Sequence, residues 1–188
     1  MHELRCTPAQ TVGPFFHCAL PYLDDSRLVT DAHGGAVRLY GTVYDGAGGG
    51  VPDALVELWQ PGPDGGIVQQ TGSLRRDGAA FSGWGRCATD ATGHYGFTTL
   101  RPGPPGAERA PFFAITVFAR GLLDRLFTRA YLPDGNLAAE PLLSTLDVAQ
   151  RSTLVCVTET GASAGYRFDI HLQGERETVF LAYYGDRE

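Results

Sequence analysis

From residue 37 onward, apolar and polar side chains alternate in short segments, each ending at a cluster of Gly, Pro or Asp. Successive side chains of a strand point to opposite faces, so this alternation predicts strands that bury one face. The segments are VRLYGTVYDG, DALVELWQ, HYGFTTLRPG, FFAITVFARG, STLVCVTE, AGYRFDIHLQ and ETVFLAYY. The pattern therefore predicts an all-β protein, an antiparallel β-sandwich of about seven to eight strands.

Two kinds of segment depart from the alternation. The residues from Ser144 to Asp147 resemble a capping box and predict a short helix that ends near Arg151. The segment 122–127 (LLDRLF) fits either a second short helix or a strand edge. The Gly-rich stretch at 46–50 predicts a hairpin-like turn, which makes a phosphate-binding loop an unfavoured interpretation.

The length of the chain predicts a single domain that covers residues 1–188. Its first thirty residues are predicted to form an extended arm. Three prolines prevent a long helix there: Pro8, Pro14 and Pro21. The apolar side chains of the arm must pack on its own core or on a neighbouring chain. Residues 61–80 and 101–111 have turn composition without periodicity, and long loops of this kind are usually functional or contact a partner.

The charge of the chain disfavours several kinds of partner. Its 21 acidic and 15 basic residues give a net charge of −6, which disfavours nucleic acid and anionic membranes. No segment approaches the ~20 apolar residues of a membrane span, so we expect a soluble cytoplasmic protein. All the basic residues are arginine, which excludes a Schiff-base lysine, a P-loop lysine and a pyridoxal phosphate site.

No catalytic set is visible from side-chain chemistry alone. The histidines are His2, His17, His33, His94 and His171, and no two have HxH or HxxxH spacing. Asp169 and His171 share one strand face, but two groups do not make a site. The cysteines form no CxxC pair and are expected to be free thiols: Cys6, Cys18, Cys87 and Cys156. No GxSxG nucleophile motif occurs.

Five blocks of sequence, taken in order, resemble the intradiol ring-cleavage dioxygenases. The blocks are TPAQTVGPFF, LYGTVYDGAGGGVPDALVELWQPGPDG, FSGWGRCATDATGHYGFTTLRPG, APFFAITVFARGLLDRLFTRAYLPD and YRFDIHLQGERETVF. They cover nearly the whole chain. The resemblance is greatest to the α chains of the two-chain members of this family, on the motifs TPxQTxGP, FARG and YRFDIxxQGExETVF.

The resemblance implies a shared enzyme. In two-chain members, α and β chains with the same sandwich core form αβ protomers that assemble further. The β chain holds a mononuclear non-haem Fe(III) through two tyrosines and two histidines. Protocatechuate binds through both phenolic oxygens, and O2 adds to give 3-carboxy-cis,cis-muconate.

The resemblance also places the four ligand positions on this sequence. Ile67 and Pro105 stand where the iron-bearing chain has its tyrosines, and Phe112 and Ala114 where it has the histidines of an HIH strand. None of these side chains can donate an anionic oxygen or an imidazole nitrogen to Fe(III). We therefore expect no metal on this chain, and we expect it to be the non-catalytic α subunit rather than a single-chain enzyme.

The α chains of this family contribute residues to the β-chain pocket. By motif, the contributors here are Thr11, Gly13 and Pro14 from TVGP and Arg120 from FARG, whereas YRFD supplies structural or interface residues: Tyr166, Arg167 and Asp169. A guanidinium attracts and orients an aromatic anion, and Gly-Pro forms a stiff wall. Two alternatives remain open: a transthyretin-like binding module without catalysis, and an α chain paired with a β chain that acts on other catechols.

Overall fold

The computed structural model describes residues 7–69, 80–160 and 165–183. These residues contain nine strands and three short helices: α1 (Phe16–Ala19), β1 (Ala36–Tyr44), β2 (Leu55–Trp59), β3 (Trp84–Ala88), β4 (His94–Leu100), β5 (Phe112–Phe118), β6 (Leu126–Tyr131), α2 (Pro141–Ser144), α3 (Val148–Ser152), β7 (Val157–Glu159), β8 (Gly165–Arg167) and β9 (Ile170–His171). One sheet has the order β4-β1-β8-β7, with β9 also paired to β1, and the other has the order β3-β2-β5-β6.

The hydrophobic core lies between the two sheets. Val37 and Leu39 of β1 are buried, as is Val43, whereas Arg38 between Val37 and Leu39 is exposed, as the period-two pattern requires. They belong to one cluster with Leu58 of β2 and Phe113 of β5 from the opposite sheet. The predicted all-β sandwich is therefore confirmed.

The strands differ from the expectation at AGYRFDIHLQ, at ETVFLAYY and at β3, which lies in none of the predicted segments. AGYRFDIHLQ forms two strands, β8 and β9, and both run parallel to β1. β8 pairs antiparallel with β7 on one side and parallel with β1 on the other. The sheet is consequently mixed. Within the described part of ETVFLAYY, a single bridge between Leu181 and Phe127 replaces the expected strand.

The helix predictions need two corrections. The capping box belongs to Asp147, whose side chain accepts from the Gln150 N–H while the Gln150 side chain returns the contact. Ser144 instead ends α2 and donates its hydroxyl to a carbonyl of its own helix. The helix considered for residues 122–127 is wrong, since residues 121–125 form a turn and loop and β6 then pairs with β5.

The Gly-rich stretch forms the predicted hairpin-like turn. The Asp45 N–H donates to the Gly49 carbonyl at 2.8 Å, and the Val51 N–H donates to the Val43 carbonyl at 2.8 Å. Gly48 adopts a φ of +83°, which favours glycine. The chain then crosses to the other sheet, so β1 and β2 are not hairpin partners.

The described part of the arm, residues 7–30, contains the short helix α1 and several turns, and is otherwise without regular secondary structure. Its last residues join β4, where the Leu28 N–H donates to the Thr98 carbonyl at 2.8 Å. Cys6 and His2 lie outside the described residues, as does half of the loop expected at 61–80, residues 70–79. Within the described ranges, no helix is long and apolar enough to cross a membrane.

Candidate functional site

The end of the β2–β5 ladder determines where Arg120 lies. Leu55 is the cross-strand partner of Phe118, and the two strands are antiparallel, so Asp53 lies across from Arg120 two residues further along. Arg120 Nη2 and Asp53 Oδ2 form an ion pair of 2.8 Å. The Arg120 side chain is 59% exposed, whereas that of Asp53 is only 13% exposed. The Arg120 guanidinium is thus exposed to solvent, while the Asp53 carboxylate that holds it is nearly buried.

The N-terminal arm contacts the same turn. The Gly121 N–H donates to Thr11 Oγ1 at 2.7 Å. Further along the arm, the Phe16 ring packs against the Phe118 ring with centroids 5.5 Å apart. The structure therefore brings Thr11 next to the turn that carries Arg120, although 109 positions separate them in the sequence numbering.

Gly13 and Pro14 lie on the exposed part of the arm between these two contacts. The Gly13 carbonyl accepts the Phe16 N–H at 3.1 Å, which begins the turn into α1. A Cβ on Gly13 would meet nothing within 4 Å, so this backbone is open to an approaching molecule. All four residues predicted from the TVGP and FARG motifs consequently lie on or beside one surface, hereafter the arm–turn surface.

A groove of about 670 Å³, lined by both apolar and polar side chains, adjoins the arm–turn surface. It runs between the arm, the turn after β5 and the end of the described chain, and its apolar lining includes Val12, Phe118, Leu122, Leu123, Phe127 and Tyr183. Leu123 is 63% exposed and Tyr183 67% exposed, and Phe15 on the arm is 76% exposed. Large apolar side chains clustered in this way are typical of a surface that another protein covers.

The two positions at which the family resemblance predicts histidine ligands lie on the outer face of β5. Phe112 packs under the Arg129 guanidinium, which lies 4.4 Å from the ring centroid. Ala114 is the cross-strand partner of Trp59, which is 53% exposed. The tyrosine positions lie in loops, where Ile67 is 83% exposed and Pro105 is also exposed.

This set of side chains does not fit Fe(III). A site of two tyrosinates and two imidazoles needs oxygen and nitrogen donors, and Ile67, Pro105, Phe112 and Ala114 supply neither. Within residues 7–69, 80–160 and 165–183, no group of three or more His, Cys, Asp or Glu side chains could hold a metal ion elsewhere.

A buried charge cluster, which the sequence did not reveal, lies beside Phe112. Glu140 is fully buried and accepts two hydrogen bonds of 3.0 Å from Arg109, one of 3.2 Å from the Ala110 N–H and one of 3.2 Å from the Tyr131 hydroxyl. Burial by itself raises the pKa of the Glu140 carboxyl. The hydrogen bonds from Arg109 and Ala110 outweigh it and hold the pKa below its ordinary value. The cluster joins the loop before β5 to the segment before α2.

Asp169 and His171 make their direct contacts with different residues. Asp169 accepts from the Thr42 N–H at 3.1 Å and pairs with Arg167 at 3.0 Å. His171 instead stacks on Tyr44 with ring centroids 4.8 Å apart. Burial, followed by the charge of a neighbouring arginine, lowers the pKa of His171.

Tyr166 belongs to the core, where its ring lies 6.1 Å from that of Phe113. The free cysteines of the described chain are Cys18, Cys87 and Cys156. Cys18 is exposed on α1, where its Sγ lies 3.2 Å from His17 Nε2. Burial raises the pKa of Cys87, and that of Cys156 to about 12.

Comparison with known proteins relates this arrangement to enzymes. A family model described as Dioxygenase matches residues 13–174. The protocatechuate 3,4-dioxygenase alpha chain of Burkholderia cepacia is 37% identical over 197 residues, covering 96% of this chain and 99% of that one. The beta chain from the same organism is 34% identical over 160 residues, covering 77% of this chain and 67% of that one.

A solved structure has the same fold at low sequence identity. The dioxygenase domain of a dioxygenase carbohydrate-binding protein fusion from Streptomyces sp. SirexAA-E superposes with a TM-score of 0.61. The match has 24% identity and covers 89% of this chain and 98% of that one. With the family model and the near full-length relative, these findings show that the chain belongs to the intradiol ring-cleavage dioxygenases, a family that uses Fe(III).

Proposed function

We propose that this chain is the non-iron-binding α subunit of a protocatechuate 3,4-dioxygenase and that it completes an active site held by a β subunit. The observation that carries the proposal is the arm–turn surface. The arm and the Arg120 turn are joined by the hydrogen bond between Gly121 and Thr11 and present an outward guanidinium. The side chains at the four ligand positions lack the oxygen and nitrogen atoms with which a protein binds Fe(III). These positions are Ile67, Pro105, Phe112 and Ala114.

In the complex, Fe(III) bound by the β subunit supplies the chemistry of O2 addition to protocatechuate. The residues of this chain bind and orient. Arg120 offers N–H donors and positive charge to the aromatic anion, and a planar guanidinium holds such an anion in a fixed direction. Gly13 and Pro14 provide an exposed, stiff backbone wall that a flat ring can approach closely, and Thr11 fixes that wall to the turn.

The exposed apolar side chains in and beside the groove support an obligate αβ protomer. Obligate interfaces are more apolar than other surfaces and bury over ~2,000 Å² in total. We propose that residues 1–188 act as one domain whose first thirty residues form an interface arm, and that the protomers assemble further in the cytoplasm. The beta-chain relative at 34% identity is consistent with a partner that shares the sandwich fold.

A co-expression experiment tests the proposal. The chain is produced alone, its β partner alone, and the two together, and each preparation is assayed for conversion of protocatechuate and O2 to 3-carboxy-cis,cis-muconate. We expect activity only when both chains are present, in a complex of equal stoichiometry, and self-association or poor solubility of this chain alone. A monomeric chain that never binds the β partner, or a β partner that is equally active alone, would contradict the proposal.

A further inference from the structure

The carboxylate of Asp53 is nearly buried next to the exposed guanidinium of Arg120. We propose that Asp53 is a positioning residue, which holds Arg120 in the direction from which it contacts the aromatic anion in the shared site. The inference rests on the proposed function, and it adds a residue that neither the sequence motifs nor the resemblance indicated.

The backbone around Asp53 is fixed on both sides. Ala54 is fully buried, and its N–H donates to Thr89 Oγ1 at 3.0 Å. The Thr89 hydroxyl in turn donates to the Val51 carbonyl at 2.7 Å. The turn that carries Asp53 is therefore held to the start of the β2 ladder, and the carboxylate has little freedom to follow a moving arginine.

The geometry allows Asp53 to orient Arg120 without blocking it. A guanidinium carries five N–H donors in a rigid fork. The 2.8 Å ion pair engages Nη2, and the side chain nevertheless stays 59% exposed. Donors that the carboxylate does not engage thus remain accessible to an approaching anion. A half-exposed ion pair adds little to stability, so its main effect is on the direction of the guanidinium.

Two opposite effects of Asp53 on catalysis can be distinguished. If Asp53 positions Arg120, removing its charge leaves a mobile arginine, and substrate use falls. If Asp53 only neutralises Arg120, removing its charge frees the arginine, and substrate use rises. Asp53→Asn is nearly isosteric and removes the charge alone, so the sign of its effect decides between the two.

The experiment is a double-mutant cycle in the αβ complex, measured with protocatechuate. We expect Arg120→Ala to lower kcat/KM about 10-fold to 100-fold and Asp53→Asn to lower it about 3-fold to 10-fold, mainly through KM. The double variant should be no worse than Arg120→Ala, because Asp53 acts through Arg120. Asp53→Glu should recover part of the loss. Asp134→Asn, which breaks the exposed pair with Arg101, is the matched control and should change kcat/KM less than 2-fold.

Each contrary result has a distinct meaning. Unchanged or raised kcat/KM in Asp53→Asn, together with a loss in Arg120→Ala, would overturn the positioning role and leave the proposed function standing. The same loss from Asp53→Asn in the Arg120→Ala background, or a lower unfolding midpoint or α:β ratio, would show a purely structural role and overturn the inference. No effect of Arg120→Ala would instead remove Arg120 from the shared site and count against the proposed function.

Discussion

Replacing Glu140 by glutamine should destabilise the fold substantially, because four hydrogen bonds converge on this buried carboxylate. The amide keeps one accepting oxygen and puts an NH2 group in place of the other, so at least one bond from Arg109 and one from Ala110 or Tyr131 is lost. A hydrogen bond to a charged group contributes about 1.5–3 kcal/mol and a neutral one about 0.5–1.5 kcal/mol. Since the Arg109 side chain is 39% exposed, water offsets part of the loss.

We therefore expect the free energy of unfolding to fall by about 2–3 kcal/mol. For a domain of this size that corresponds to a decrease in Tm of about 4–12 °C. The assay is urea and thermal unfolding of the αβ complex, with the same β chain throughout. Asp134→Asn, at an ion pair whose carboxylate side chain is 63% exposed, is the matched control and should cost less than about 1 kcal/mol.

The effect of pH provides a second check on Glu140. The pKa of the carboxyl is lowered by folding from its ordinary value of 4.5. Its contribution to stability is therefore fully present above the unfolded pKa and is lost as pH falls through the folded pKa. The difference between the natural protein and Glu140→Gln should be largest near neutral pH and should narrow in acid. A difference that is no larger than the control, or one that grows in acid, would refute the reasoning.

Three further predictions concern the core, a thiol and the arm. Gly41→Ala should cost at least about 2 kcal/mol in urea unfolding, because its Cβ would lie 1.9 Å from the Phe168 carbonyl oxygen; an unfolding midpoint like that of the natural protein would contradict the close contact. Cys156 should resist iodoacetamide at pH 8 in the folded complex and react on unfolding, since burial raises its pKa to about 12; rapid labelling before unfolding would count against this. Phe16→Ala should speed hydrogen exchange at the Gly121 amide by loosening the arm; unchanged exchange would mean that the ring contact does not hold the arm in place.

The alternation of side chains predicted most of the strands but not their partners; it missed β3 and predicted a strand at ETVFLAYY that the described residues do not form. The period-two pattern identifies which face of β1 is buried, yet it does not reveal that the chain crosses to the other sheet after the turn at 46–50. Nor does it show that β8 pairs with β1 in parallel. Ser144 and Asp147 both begin capping-box patterns. Asp147 is the N-cap of α3, where its side chain accepts from the Gln150 N–H and the Gln150 side chain accepts from the Asp147 N–H.

For the site, sequence motifs identified residues whose chemistry is exposed and missed those that depend on tertiary contacts. Thr11 and Arg120 came from TVGP and FARG, and their proximity was visible only in the fold. Asp53 could have been found by extending the antiparallel pairing of DALVELW with FFAITVF by two residues. Glu140 gave no such signal, because a lone acidic residue in a turn-like segment is ordinarily exposed.

Metal analysis of the separated and the co-expressed chains tests the central claim most directly. With Ile67, Pro105, Phe112 and Ala114 at the ligand positions, the isolated chain should be colourless and bind no stoichiometric iron. The αβ complex should carry one iron per pair and absorb visible light, because tyrosinate bound to Fe(III) gives a charge-transfer band. One tightly bound iron per polypeptide of this chain alone would contradict both the ligand argument and the subunit assignment.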